Sequence, residues 1–127
     1  MEHKILSDGE WKIMKLLWES SPRTIGEIVK ALESETAWSR TTVFVMLKRL
    51  MAKEAVKVDD SGHLQQYYPL LKRKEVTLAE TDSFLSRVYD GSIGMMVSSL
   101  VGGRALGKEE IKELRAILDK AEKEEKL

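Results

Sequence analysis

Between Ser39 and Lys57 the chain holds five basic side chains, Arg40, Lys48, Arg49, Lys53 and Lys57, and one acid, Glu54. The stretch carries a net +4 in a chain whose 21 basic and 21 acidic residues balance overall, so the remainder sums to −4. Cations gathered on one segment of a neutral protein suit the neutralisation of phosphates, and the few of them set a modest non-specific affinity. Hydroxyls stand beside them at Ser39, Thr41 and Thr42. Arg40 has the geometry either to grip a guanine edge with two hydrogen bonds or to clamp a phosphate, and the threonines to touch a phosphate or a thymine methyl. Phe44 is placed to meet a base or sugar edge or to tuck against a neighbouring element. Lys48 and Arg49 reach for phosphates, with pairing of Arg49 to Glu10 or Glu54 as the structural alternative. His63 and Gln65 lie further on, in a turn region.

Enzymatic chemistry finds no constellation to support it. The two histidines, His3 and His63, are far apart in sequence, no cysteine is present, and neither a nucleophile triad nor a glycine-rich phosphate loop appears. The acids have no metal-ligand spacing. Neither an enzyme activity, a cofactor nor a bound metal is therefore expected. No apolar run approaches the length of a membrane span and the first ten residues lack a signal-peptide core, so a cytoplasmic protein without a membrane partner is expected.

The elements that must position these residues are legible in the hydrophobic periodicity. Residues 7–19 read as a helix with Ser7 and Glu10 as a capping box and Trp11, Met14, Leu17 and Trp18 on one stripe. Pro22 ends it. Residues 24–34 form a second short helix behind a Thr24/Glu27 capping box, with Ile25, Ile28, Val29 and Leu32 inward. Residues 39–54 form a third, capped by Ser39. Val43, Met46, Leu47 and Leu50 face inward, so Arg40, Thr41, Phe44, Lys48 and Ala52 fall largely on the other side.

"AVKVDDSGHLQQYYPL" then reads as a β-hairpin, with "DDSGH" as the turn, Gly62 available for positive φ, and one of Tyr67 and Tyr68 inward. Residues 71–127 are helical, with a break near "DGS", a loop at "VGGRALG" and a final helix over 108–124. Three helices followed by a hairpin is the order of a winged helix-turn-helix. The expected fold is mainly α with a small β-hairpin, a winged helix over 1–71 followed by a helical dimerisation region over 72–127. In such a domain the leading end of the third helix meets base edges.

The C-terminal stripes, Leu85, Val88, Tyr89, Met96, Val97, Leu100, Ile111, Leu114 and Leu118, exceed what a small winged helix can cover. Burial between two copies about a two-fold axis is the expected solution, with an intramolecular helical cap as the alternative. A homodimer would match a dyad-symmetric double-stranded DNA operator and gain avidity from two linked readers. The competing function is a winged-helix adaptor that binds protein and no DNA, favoured by the neutral net charge.

The segments "LSDGEWKIMKLLW", "TIGEIVKAL", "WSRTTVFVMLKRL", "YYPL", "FLSRVYDGS" and "EEIKELRAIL", in order over nearly the whole chain, resemble the penicillinase repressor family of bacterial transcriptional regulators (BlaI/MecI/CopY). The resemblance implies a homodimeric repressor with an N-terminal winged helix and a C-terminal helical dimerisation region, and places Thr41 and Thr42 at positions that face DNA. In the penicillinase branch a membrane sensor-protease system relieves repression by cutting an Asn-Phe pair in the C-terminal part. Ser99-Leu100 stands there in this chain, so a sensor or protease partner is of unknown identity. The paired CxC motifs of the copper branch are missing. Glu54 replaces the family's usual Gly after the third helix and His63 its usual wing Arg. Both changes lower the positive charge near the wing and imply weaker or differently placed phosphate contact.

Overall fold

A computed structural model describes residues 6–103 and 106–125; His3 lies outside them. The element order is α1 (Asp8–Glu19), α2 (Ile25–Ala31), α3 (Arg40–Ala52), β1 (Val56–Asp59), β2 (Gln66–Pro69), α4 (Arg73–Tyr89), α5 (Ile93–Gly102) and α6 (Lys108–Glu125). Two compact units result, one ending at Glu80 and the other beginning at Thr81. The first is a winged helix-turn-helix.

Both expected capping boxes form. The Ser7 hydroxyl accepts from the Glu10 amide at 3.2 Å while Glu10 Oε1 accepts from the Ser7 amide at 2.8 Å, and Thr24 and Glu27 repeat the pattern with the same distances. The buried face of α1 is Ile13, Met14 and Leu17, rotated from the stripe that the tryptophans mark. Trp11 and Trp18 are only half-buried and meet edge to face at 5.8 Å, and the Trp18 indole donates to the Leu71 carbonyl at 2.8 Å. Helix α2 stops at Ala31, short of the expected 34. The chain tightens there into i+3 bonding, the Glu33 amide donating to the Lys30 carbonyl at 3.3 Å and the Glu35 amide to that of the buried Leu32 at 3.0 Å, and the Thr36 hydroxyl also donates to Leu32 at 3.1 Å.

Helix α3 starts on Ser39, whose hydroxyl accepts from the Thr42 amide at 3.2 Å, and buries Val43, Leu47 and Leu50 completely. It ends in a Schellman motif: the Ala55 amide donates to the Leu50 carbonyl at 2.8 Å and the Glu54 amide to Met51 at 3.0 Å. That motif needs a left-handed residue, and Glu54 supplies it with φ 60°. The family's glycine at this position thus has a backbone reason in this fold.

The hairpin pairs antiparallel in the register Val56↔Pro69, Lys57↔Tyr68, Val58↔Tyr67 and Asp59↔Gln66. Tyr67 is the inward tyrosine, 1% exposed, and Tyr68 the outer one. Arg23, between α1 and α2, exchanges two backbone hydrogen bonds with Tyr67, 2.8 and 3.2 Å, an isolated bridge on the free edge of β2. In the turn the Asp59 carboxylate accepts from the Ser61 amide and hydroxyl at 2.9 and 2.7 Å, which holds it below the usual carboxylate range. Gly62 does not use the positive φ available to it; Asp59 closes the turn instead. Leu6, the α1–α3 interior faces, Ala55, Val56, Tyr67 and Val76 on the first turn of α4 make one core.

The second unit breaks where expected. Asp90 and Gly91 take φ 51° and 83°, and Ser92 then caps α5 by accepting from the Met95 amide at 3.1 Å. Helix α5 absorbs Val101 and Gly102, so it runs two residues into the expected loop. Helix α6 follows Gly107, whose amide donates to Glu110 Oε1 at 2.8 Å. No residue of α5 or α6 is buried in the single chain.

Candidate nucleic-acid interface

The interface builds outward from the buried line of α3. With Val43, Leu47 and Leu50 inside, the positions farthest from the core are 41, 45, 48 and 52, spaced by one turn each. Thr41, Val45, Lys48 and Ala52 are all exposed. Phe44 flanks the line on one side and Arg49 on the other. Val45 was absent from the expected set, although its place one turn after Thr41 and one before Lys48 is the signal that locates it.

The polar groups of the leading turn are partly engaged. Ser39 Oγ lies 3.2 Å from both the Thr42 amide and the Thr42 hydroxyl, so these two residues close the cap. The Arg40 guanidinium lies across Gly26 of α2, where a Cβ would come within 2.9 Å of Nη2. Glycine there lets the guanidinium approach the second helix of the motif closely. The Lys48 ammonium stands 5.6 Å from the centre of the Phe44 ring, and Phe44 keeps 40% of its surface exposed. Arg49 is exposed, and no described carboxylate pairs with it. On the wing, Lys57 stands 5.3 Å from the centre of the Tyr68 ring directly across the ladder, and His63 and Gln65 are exposed at the tip.

Lys53 serves another purpose than the rest of the basic set. Its ammonium contacts Glu10 Oε1 at 2.5 Å, and Glu10 is only 2% exposed. Burial pushes the Glu10 carboxyl up, but the Lys53 ammonium and the Ser7 amide and hydroxyl outweigh it and hold the group below its ordinary value. Glu10 Oε2 is buried with no hydrogen-bond partner among the described residues, and the Lys53 and Ser7 contacts are both made through Oε1. The acid that was a candidate partner for Arg49 is therefore held by Lys53, which ties the end of α3 to the start of α1.

Residues 6–120 match the family model described as Penicillinase repressor. The chain belongs to the penicillinase repressor family. It is 33% identical to the penicillinase repressor of Bacillus licheniformis over 114 residues, 90% of this chain and 89% of that protein. It is 27% identical to the methicillin resistance regulatory protein MecI of Staphylococcus aureus strain N315 over 115 residues, 91% and 94% of the two chains. The solution structure of the monomeric form of Bacillus licheniformis BlaI in complex with the blaP half-operator superposes with a TM-score of 0.50 at 30% identity, covering 58% of this chain and 90% of that one. The family is one of repressors, not of enzymes.

The apolar set expected to join two copies lies wholly on α4, α5 and α6. Leu85, Tyr89, Met96, Val97 and Leu114 are half-buried, whereas Val88, Leu100, Ile111 and Leu118 are exposed. Phe84, not in the expected set, is 43% exposed and meets Tyr89 edge to face at 5.9 Å. None of the described helices is long and apolar enough to cross a membrane.

Proposed function

We propose that this protein is a transcriptional repressor that binds double-stranded operator DNA as a homodimer in the cytoplasm. Each protomer lays α3 in the major groove, and the hairpin approaches the adjoining backbone. The observation that carries the reading is the exposed line of Thr41, Val45, Lys48 and Ala52, flanked by Arg40 and Arg49, on the third helix of a winged helix. The relative whose structure was solved on a half-operator shares that domain.

The geometry supports the following roles. Ser39 and Thr42 hold the cap and turn the first amides of α3 toward a phosphate. Arg40, lying on α2, clamps the backbone. Thr41 and Phe44 meet base edges, Lys48 and Arg49 phosphates, and His63 the backbone beside the wing. We assign 1–71 to DNA binding and 72–127 to dimerisation, with Val76 anchoring the first turn of α4 in the DNA-binding core. Leu85, Val88, Tyr89, Met96, Val97, Leu100, Ile111, Leu114 and Leu118 form the two-fold interface, which supplies the burial that α5 and α6 lack in one chain. Dimerisation and operator affinity are then linked, so a sensor or protease that disrupts the C-terminal helices releases the DNA. Ser99 and Leu100 sit within α5 and are exposed, so a protease cutting there must first unwind the helix.

In vitro transcription from a template whose promoter overlaps a selected binding site tests the proposal. Loss of transcript on adding the protein supports it. Occupied DNA with undiminished transcript contradicts it.

A further inference from the structure

The outward face of α3 sets exposed apolar side chains among its cations and hydroxyls. Val45 lies in its central line and is 43% exposed, with Phe44 beside it 40% exposed. Of the neighbouring polar groups, Ser39 and Thr42 close the cap, the Arg40 guanidinium lies over Gly26 on α2, and the Lys48 ammonium stands over the Phe44 ring, which leaves Val45 between cations suited to phosphate. Thr41 supplies the one hydroxyl in the line of Thr41, Val45, Lys48 and Ala52.

In the major groove each base pair presents donors and acceptors, and one apolar feature occurs among them, the 5-methyl group of thymine. An isopropyl group pressed against a donor or acceptor would strip it of water and return nothing. Pressed against a methyl group it removes apolar surface from water on both sides.

We propose that this protein reads thymine 5-methyl groups through Val45, with the Phe44 ring edge and the Thr41 methyl beside it. Each half-site then contains an A·T pair recognised by apolar contact. The inference rests on the DNA-binding reading above and names the chemistry that the reading leaves open. Val45 is a specificity determinant; Lys48 and Arg49 supply affinity that is indifferent to sequence.

The test replaces each thymine in turn by deoxyuridine, which deletes the methyl group and nothing else. The duplexes are those enriched from a random-sequence library by the full chain, and binding is titrated by fluorescence anisotropy. Burial of one methyl group corresponds to roughly a fourfold change in affinity. One or two thymines per half-site should therefore show about a fourfold loss as uracil. Val45→Ala should bind the thymine and uracil duplexes alike at one of those positions, and Val45→Ile should keep the preference. The thymine-to-uracil ratio is internal to each variant, so a change in folding stability cancels. Equal binding of thymine and uracil duplexes by the parent, or full discrimination retained by Val45→Ala, overturns methyl readout and leaves DNA binding standing. Failure to enrich any sequence at low salt overturns the DNA reading and this inference together.

Discussion

Replacing Lys48 and Lys53 separately by Gln should give two different phenotypes, although both belong to the same basic stretch. Lys48 is exposed on the outward face of α3, whereas the Lys53 ammonium is held 2.5 Å from the buried Glu10 carboxylate. The cations left to meet phosphate are then Arg40, Lys48, Arg49 and Lys57 in each protomer. At about 0.9 per neutralised phosphate, a dimer contributing all of them gives a slope of about −7 for log K against log salt. Lys48→Gln removes one contact per protomer and brings the slope to about −5, so raising salt from about 50 to about 200 mM costs roughly 10³-fold, against roughly 10⁴-fold for the parent. Lys53→Gln leaves the slope at about −7 but strands a buried carboxylate. With 30% of the Lys53 side chain exposed, the loss is about 2–3 kcal/mol, below the range of a fully buried pair because solvent screens the ammonium. Anisotropy titrations across a salt series measure the first effect and urea denaturation the second. A shallower slope for Lys53→Gln, or an unchanged one for Lys48→Gln, would refute the division of labour.

Further outcomes follow from the same geometry. Glu10 has a lowered folded-state pKa, so its contribution to stability is present above its unfolded value near 4.5 and is lost as pH falls through the folded value; denaturant melts of the parent should weaken over that acid range more than those of Glu10→Gln. Glu54→Gly relieves a non-glycine residue at φ 60° and should raise stability by about 1 kcal/mol, read as a higher urea midpoint with unchanged m. Leu114→Asp places a charge in the proposed two-fold interface; sedimentation should show monomer, and a variant that stays fully dimeric would place the interface elsewhere. Arg40→Ala, with the guanidinium resting on α2, should weaken binding by a similar factor for all duplexes, whereas a change in the preferred base at one position would assign it to the groove.

Much of this architecture is legible in sequence because the signals are local. Ser7/Glu10, Thr24/Glu27 and Ser39 are caps whose chemistry is complete within four residues, and the alternation through Tyr67 and Tyr68 sets the hairpin's faces. The missed features depend on partners distant in the chain. Periodicity gives a stripe but not its rotation, so Trp11 and Trp18 stood for a buried face that Ile13 shares with Met14 and Leu17. The Lys53–Glu10 pair joins residues 43 apart, and no local rule distinguishes Lys53 from Lys48. The bridge from Arg23 to Tyr67 arises only when the wing folds back beside α1. Val45 lies outside the expected DNA-facing set because that set is drawn from polar and aromatic side chains, although the inward places of Val43 and Leu47 already turn position 45 outward.

The central claim is that two copies of this winged helix together recognise a two-fold DNA site. Selection of bound duplexes from a random-sequence library, repeated at two salt concentrations, tests it most directly. The account predicts a dyad-symmetric consensus whose half-sites are spaced by whole helical turns, about 10 base pairs or a multiple, with binding that falls steeply as salt rises. A single unrepeated motif, or no enrichment even at low salt, would contradict it.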